Sequence, residues 1–216
     1  MRDNSDSHKF LVQGASMKKL ALAILAIAAM AGCTSQPNQP EQKPQPKPPE
    51  LLTGRSAFQQ LYIAARGWAP DGRPYQLQSQ VIDDAKGKDG KAAIWRAAFA
   101  SASKRASKPF VWSGIDIPDA PSRGISPGTQ DSYVPGNTFD MAFLKVDSDK
   151  AFEAAQKHGG EKILQASADI PVSYLLDWNP SGNNLVWHVI YGNSRNDAKL
   201  VADVDASTGE FIRKEK

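Results

Sequence analysis

Two tryptophans set the frame for this chain: Trp95 lies 28 residues after Gly67, and Trp187 lies 28 residues after Gly159. The residues around them run in parallel, Ala93-Ile94-Trp95-Arg96-Ala97-Ala98-Phe99 against Leu185-Val186-Trp187-His188-Val189-Ile190-Tyr191. Each stretch follows the same order of elements. Residues 55–67 place Phe58, Leu61, Tyr62 and Ala65 on one helical face, with Thr53 or Ser56 as N-cap and Gly67 as the end. Then Tyr75, Leu77, Ser79 and Val81 alternate as in a strand, a turn follows at 86–90, and strands are expected at 93–100 and 110–112. The later copy predicts a helix over 149–157 closed by Gly159-Gly160. Strands over 171–178, 185–191 and 200–205 follow it, with a turn at Asn179-Pro180-Ser181-Gly182-Asn183. The pattern implies an α+β fold built from a duplicated α-β-β-β unit, each a helix on an antiparallel sheet. Chance likeness of two generic α+β halves is the alternative.

Little before residue 51 can join such a core. Met17, Lys18 and Lys19 form a basic head before the apolar run 20–30, the layout of a secretory signal. The run falls short of the roughly 20 apolar residues a permanent span needs. Met30-Ala31-Gly32-Cys33 resembles the bacterial lipobox, with Met30 where Leu is usual. The resemblance implies a signal peptide over 17–32 and a lipidated Cys33, palmitate included, as the first mature residue. Residues 1–16 are polar and acidic and are expected to be an over-extended start. Cys33 is the only cysteine, so no disulfide forms within one chain. Residues 33–50 carry six prolines among polar residues. Extended at about 3.1 Å per residue, they make a tether reaching on the order of 50 Å.

The second copy, 145–216, resembles the PepSY family, a small cystatin-like module of one helix on an antiparallel sheet. The resemblance rests on Asp147-Ser148-Asp149-Lys150-Ala151-Phe152-Glu153-Ala154-Ala155, on Trp187, and on Val204-Asp205-Ala206-Ser207-Thr208-Gly209-Glu210. The last reads as a closing hairpin in which Asp205 bonds back to turn amides and Gly209 takes a positive φ. The first copy, 51–114, has Trp95 but no such ending. Between them lies a Pro-, Gly- and Ser-rich linker, 115–144, containing Tyr133, of a length that is functional or disordered.

Charge and motifs exclude several classes. The chain has 26 basic and 23 acidic residues, and from Cys33 onward 22 and 21. No basic cluster interleaved with aromatics marks a nucleic-acid binder. No histidine or carboxylate spacing fits a metal site, and no catalytic motif is present. Gly124-Ile125-Ser126-Pro127-Gly128 imitates a nucleophile elbow, but Pro127 removes the amide such an elbow needs. Asp83-Asp84, Asp203 and Asp205 read as turn formers and solubilising groups. His158, before Gly159-Gly160, reads as a helix C-cap. Trp95 and Trp187 are expected in the core. His188 and Ile190 lie on the strand face opposite Trp187, and that face, lidded by the Tyr133 loop, is the expected binding site for an extended polypeptide.

The sequence therefore predicts a lipid-anchored binding or regulatory protein of the cell envelope, on the outer membrane facing the periplasm in a Gram-negative cell, with a protein or peptide partner and no cofactor. The PepSY resemblance implies peptide binding or peptidase control. The alternatives are a structural lipoprotein scaffolding an envelope complex, or an envelope hydrolase.

Overall fold

The structure, a computed structural model, describes residues 47–133 and 136–215. The expected leader, Cys33 and most of the expected tether lie outside the described residues. Within them the chain runs β1 (Leu52–Thr53), α1 (Gly54–Trp68), β2 (Arg73–Gln80), β3 (Lys91–Ala92), β4 (Ile94–Ser101), β5 (Ala106–Ser113), β6 (Gly124–Pro127) and β7 (Asp131–Ser132). After a 3₁₀ turn at Met141–Phe143 come α2 (Ser148–Ala155), a π turn at Gln156–Gly160, α3 (Glu161–Ala166), β8 (Val172–Asn179), β9 (Asn184–Tyr191), β10 (Leu200–Asp205) and β11 (Phe211–Lys214). No helix among the described residues is long and apolar enough to cross a membrane.

The fold is α+β, with one large antiparallel sheet ordered β11-β10-β9-β8-β2-β4-β5-β6, and β7 also pairing with β5. The two halves meet edge to edge at β2 and β8. That seam is short: Gln76 pairs with Asp177, Leu77 with Leu176 and Gln78 with Leu175. Beyond it Ser79 Oγ accepts from the Tyr174 amide at 2.9 Å, and the strands part.

Both helices cover the same face. The stripe Ala57, Phe58, Leu61 and Ala65 of α1 packs with Ala151 and Ala155 of α2 onto Leu77, Trp95, Phe99, Trp187, Val189 and Tyr191 in one continuous core. Trp95 and Trp187 are fully buried and meet edge to face, their rings 6.3 Å apart at 71°. Each indole nitrogen donates to a carbonyl just ahead of a helix, Trp95 to Leu52 at 2.8 Å and Trp187 to Val146 at 2.9 Å. That satisfies the polar end of an otherwise apolar ring.

The helix starts also interlock. Helix α1 has no acidic residue in its first turn, and its N-cap Thr53 makes no side-chain cap bond. The partners come from the other half. The Asp147 carboxylate accepts from its own helix at the Ser148 amide (2.7 Å), from the Arg55 amide (2.8 Å) and from the Thr53 hydroxyl (2.7 Å). Ser148 Oγ accepts from the Gly54 amide at 2.7 Å and donates to the Gly90 carbonyl at 2.5 Å. One carboxylate thus caps two helices, where both present their partial positive charge.

Several boundaries differ from expectation. Helix α1 runs past Gly67 to Trp68, because Pro70 holds Ala69 in extended backbone. Helical backbone ends where Gly159-Gly160 is expected to close the second helix, since His158 and Gly159 leave the helical region, but a further helix, α3, follows at once. Gly159 turns the chain at φ +116, and Gly160 lets the backbone lie against the Tyr191 hydroxyl before α3 resumes. His158 stands at that helix end as expected, but its ring stacks on Phe211 at 3.9 Å and 4° and makes no bond to a helix carbonyl among the described residues. The stretch 115–144 is partly strand, β6 and β7 pairing with β5.

Candidate functional site

Alternation along β9 sends Trp187, Val189 and Tyr191 to the helices and His188 and Ile190 to the outer face of the sheet. That face is not bare. Ile190 packs with Ala198, Val201 and Leu175, while at the other flank Ile94 and Val111 pack with Ala85, Ala93 and Ile115. His188 is 4% exposed and Ile190 5%, so neither is the outward-facing contact expected of it. The loop after β9 and the C-terminal residues cover them.

Register places Asp203 of β10 directly across from His188, and Arg213 of β11 across from Asp203. His188 Nδ1 lies 2.6 Å from Asp203 Oδ1, and Nε2 lies 3.0 Å from Asp177 Oδ1. Arg213 donates from Nε to Asp203 at 2.9 Å and from a terminal nitrogen to Glu215 at 3.3 Å. Burial alone would lower the His188 pKa and is the largest single influence, but the bonds to Asp177 and Asp203 and the charges of both outweigh it, so the ring titrates above its ordinary value. Burial would likewise raise Asp203, yet the bonds and charges of His188 and Arg213 hold it below the usual carboxylate value. The result is a histidine ring clamped across three strands.

His188, Asp203 and Glu215 bring candidate ligand atoms within 4.8 Å of one another. Arg213 already bonds both carboxylates, and both ring nitrogens face carboxylates. A metal ion there has to displace a guanidinium and a proton. The arrangement suits an internal ion network better than a metal centre, and it offers a ligand no free ring nitrogen.

Between the two covered flanks the outer face stays open along β2 among the described residues. Gln76, Gln78 and Gln80 alternate onto it, spanning about 13 Å of strand. A depression of about 430 Å³ lies at one end, lined by Gln78, Ser79, Gln80, Val81, Arg96 and Asn193. A smaller one of about 240 Å³ lies at the other, lined by Tyr75, Gln76, Gly136, Asn137, Asp177 and Trp178. The Asn193 wall is pre-shaped, because Asp197 accepts from the Asn193 amide at 3.3 Å and from the amide and hydroxyl of Ser194 at 2.7 and 2.6 Å.

The structure does not gather all the residues expected at the site. Tyr133 follows β7, which pairs with β5, and three strands separate β5 from β9. That is on the order of 20 Å at ordinary strand spacing, so the Tyr133 loop is no lid for His188. Only its later residues, Gly136 and Asn137, reach the open strip. Trp95 and Trp187 are core residues. Asp205 Oδ1 accepts from the Ser207 and Thr208 amides at 2.8 and 3.0 Å, Oδ2 accepts from Asn184 at 2.8 Å, and Gly209 has φ +81. Asp177, Arg213, Glu215, Arg96 and the glutamine row were not singled out in the sequence. Two signals were present: polar residues at every second position of β2, and one arginine inside the otherwise apolar Ile94–Ser101.

No family model, curated protein or solved structure matches the chain.

Proposed function

We propose that this chain is a lipid-anchored protein of the bacterial envelope, built from two PepSY-like units joined edge to edge, that binds an extended polypeptide along the outer face of β2. The observation that carries the reading is the open strip itself. Both flanks of the outer face are roofed by apolar clusters, and only the centre presents amide side chains in a row between two depressions. Side-chain amides both donate and accept, so they suit the repeating polar groups of an extended backbone with little demand on its side chains. The paired features of the halves support a duplicated unit: a buried tryptophan bonded to the carbonyl before a helix, at matching spacing. The lipobox-like Cys33 and the tether support anchoring at a distance from the membrane. A module that holds polypeptides there suits control of an envelope peptidase, as the PepSY resemblance implies.

The test is binding of a fluorescent peptide library to the full chain, compared with Gln78→Trp, which fills the strip with an indole. Affinity is expected to fall by about ten-fold or more with the fold intact by circular dichroism. Undiminished binding by Gln78→Trp moves the site elsewhere, and failure of every peptide to bind removes the reading.

A further inference from the structure

Strand β4 is buried at seven of its eight positions, and the eighth is Arg96. Its register partners are Gln78 on β2 and Val111 on β5, both uncharged. Its outer-face neighbours along the strand are Ile94 and Ala98. The Arg96 side chain has no hydrogen-bond or ion-pair partner among the described residues. Of the acids on the segments flanking this end of the strip, Asp197 holds Asn193 and Ser194, Asp83 faces Lys86 at 3.4 Å, and the adjacent Asp84 forms no ion pair with Arg96. A guanidinium in mid-sheet, in a depression walled by amides, therefore lacks the counter-charge that such groups ordinarily take from a neighbour.

We propose that Arg96 is the point of the strip that recognises a carboxylate on the bound polypeptide, and so sets that polypeptide's register. The inference rests on the reading that the strip binds an extended chain, and adds the chemistry the chain must carry. Arginine fits the role because its planar fork meets both oxygens of a carboxylate at once, which the point charge of lysine does not. Gln78 and Gln80 supply further N–H donors beside it, and the Asn193 wall holds its shape without a ligand. The carboxylate has two sources, an acidic side chain within the segment or a free C-terminus. A segment lying along β2 beyond both ends of the strip presents the first, and one ending in the larger depression presents the second.

The experiment uses the full chain and four short fluorescent peptides: one with a central Glu and an amidated end, its Gln counterpart, and an uncharged sequence with either a free or an amidated C-terminus. Wild type is expected to prefer one carboxylate-bearing peptide over its neutral counterpart by about ten-fold or more, and which pair shows this identifies the source. Arg96→Gln is expected to erase the preference and leave residual neutral-peptide binding, while Arg96→Lys keeps part of it. Neither should move the melting temperature, since the side chain is exposed and unpaired. Peptides that bind without charge preference, or a preference that survives Arg96→Gln, overturn the inference and leave the strip reading standing. Binding of no peptide overturns both. Tight binding of acetate alone, with no gain from a peptide attached to the carboxylate, also overturns it.

Discussion

Replacing Asp147 by alanine removes the one carboxylate on which both helices begin. Three donors lose their acceptor: the Ser148 amide, the Arg55 amide and the Thr53 hydroxyl, at 2.7, 2.8 and 2.7 Å. Loss of an N-cap costs about 1 kcal/mol per helix, and a hydrogen bond to a charged acceptor adds about 1.5 kcal/mol. Water reaches the exposed Arg55 amide in the variant and recovers part of this. The expected destabilisation is about 2 to 3 kcal/mol, or roughly 4 to 12 °C in melting temperature for a domain of this size. Asp147→Asn keeps an acceptor oxygen and loses only the charge, so it should cost about half as much. Urea unfolding followed by tryptophan fluorescence measures both, because Trp95 and Trp187 sit directly beneath the helix starts. A loss below about 0.5 kcal/mol in Asp147→Ala would refute the shared cap as a source of stability, since that is the range of an ordinary surface change.

The His188 network makes stability depend on pH in a definite sense. His188 titrates above its ordinary 6.5 in the fold, so its contribution is complete below pH 6.5 and is lost as pH rises through the raised value. Asp203 titrates low, so its contribution is complete above its ordinary 3.8 and is lost as pH falls through the lowered value. The urea midpoint should therefore fall as pH rises above 6.5, and Asp203→Asn should flatten that fall. Equal slopes in wild type and variant would show that the clamp does not titrate. At the other end of the chain, Cys33→Ser should abolish palmitate labelling and remove the protein from the lipoprotein fraction. Label that persists in the variant would end the lipid-anchor proposal.

What the sequence made legible was local. Phe58, Leu61 and Ala65 announce α1, and Trp187, Val189 and Tyr191 announce the buried face of β9, because helix and strand periods are written in adjacent residues. The closing turn was legible for the same reason, since Asp205, Thr208 and Gly209 act within a few residues of one another. The seam was not. Nothing near Gln76, Leu77 and Gln78 indicates pairing with Asp177, Leu176 and Leu175, about a hundred residues away. The covering of His188 was equally hidden, because it depends on Ala198 packing back over Ile190 and on Arg213 arriving through a final strand. The Gly159-Gly160 pair announced the end of helical backbone, but not that α3 follows directly, which depends on Gly160 fitting against Tyr191.

The place of the open strip follows from the way the halves are joined. On the inner face, the joining is tight: two tryptophans meet, and the helix starts share Asp147 and Ser148. Those contacts fix the central strands β2 and β8 side by side, although only three residue pairs hold the seam itself. On the outer face, roofing comes from the irregular stretches after β5 and β9, which lie away from the seam and reach only their own flanks. Neither flank cluster extends over Gln78 and Arg96, so the middle of the outer face is left polar and concave. A single unit of one helix and three strands, roofed in the same way, would have no such middle. The strip is a product of the way the two halves join, and perturbations that loosen the inner interlock, Asp147→Ala among them, should weaken the proposed peptide binding without touching a residue of the strip.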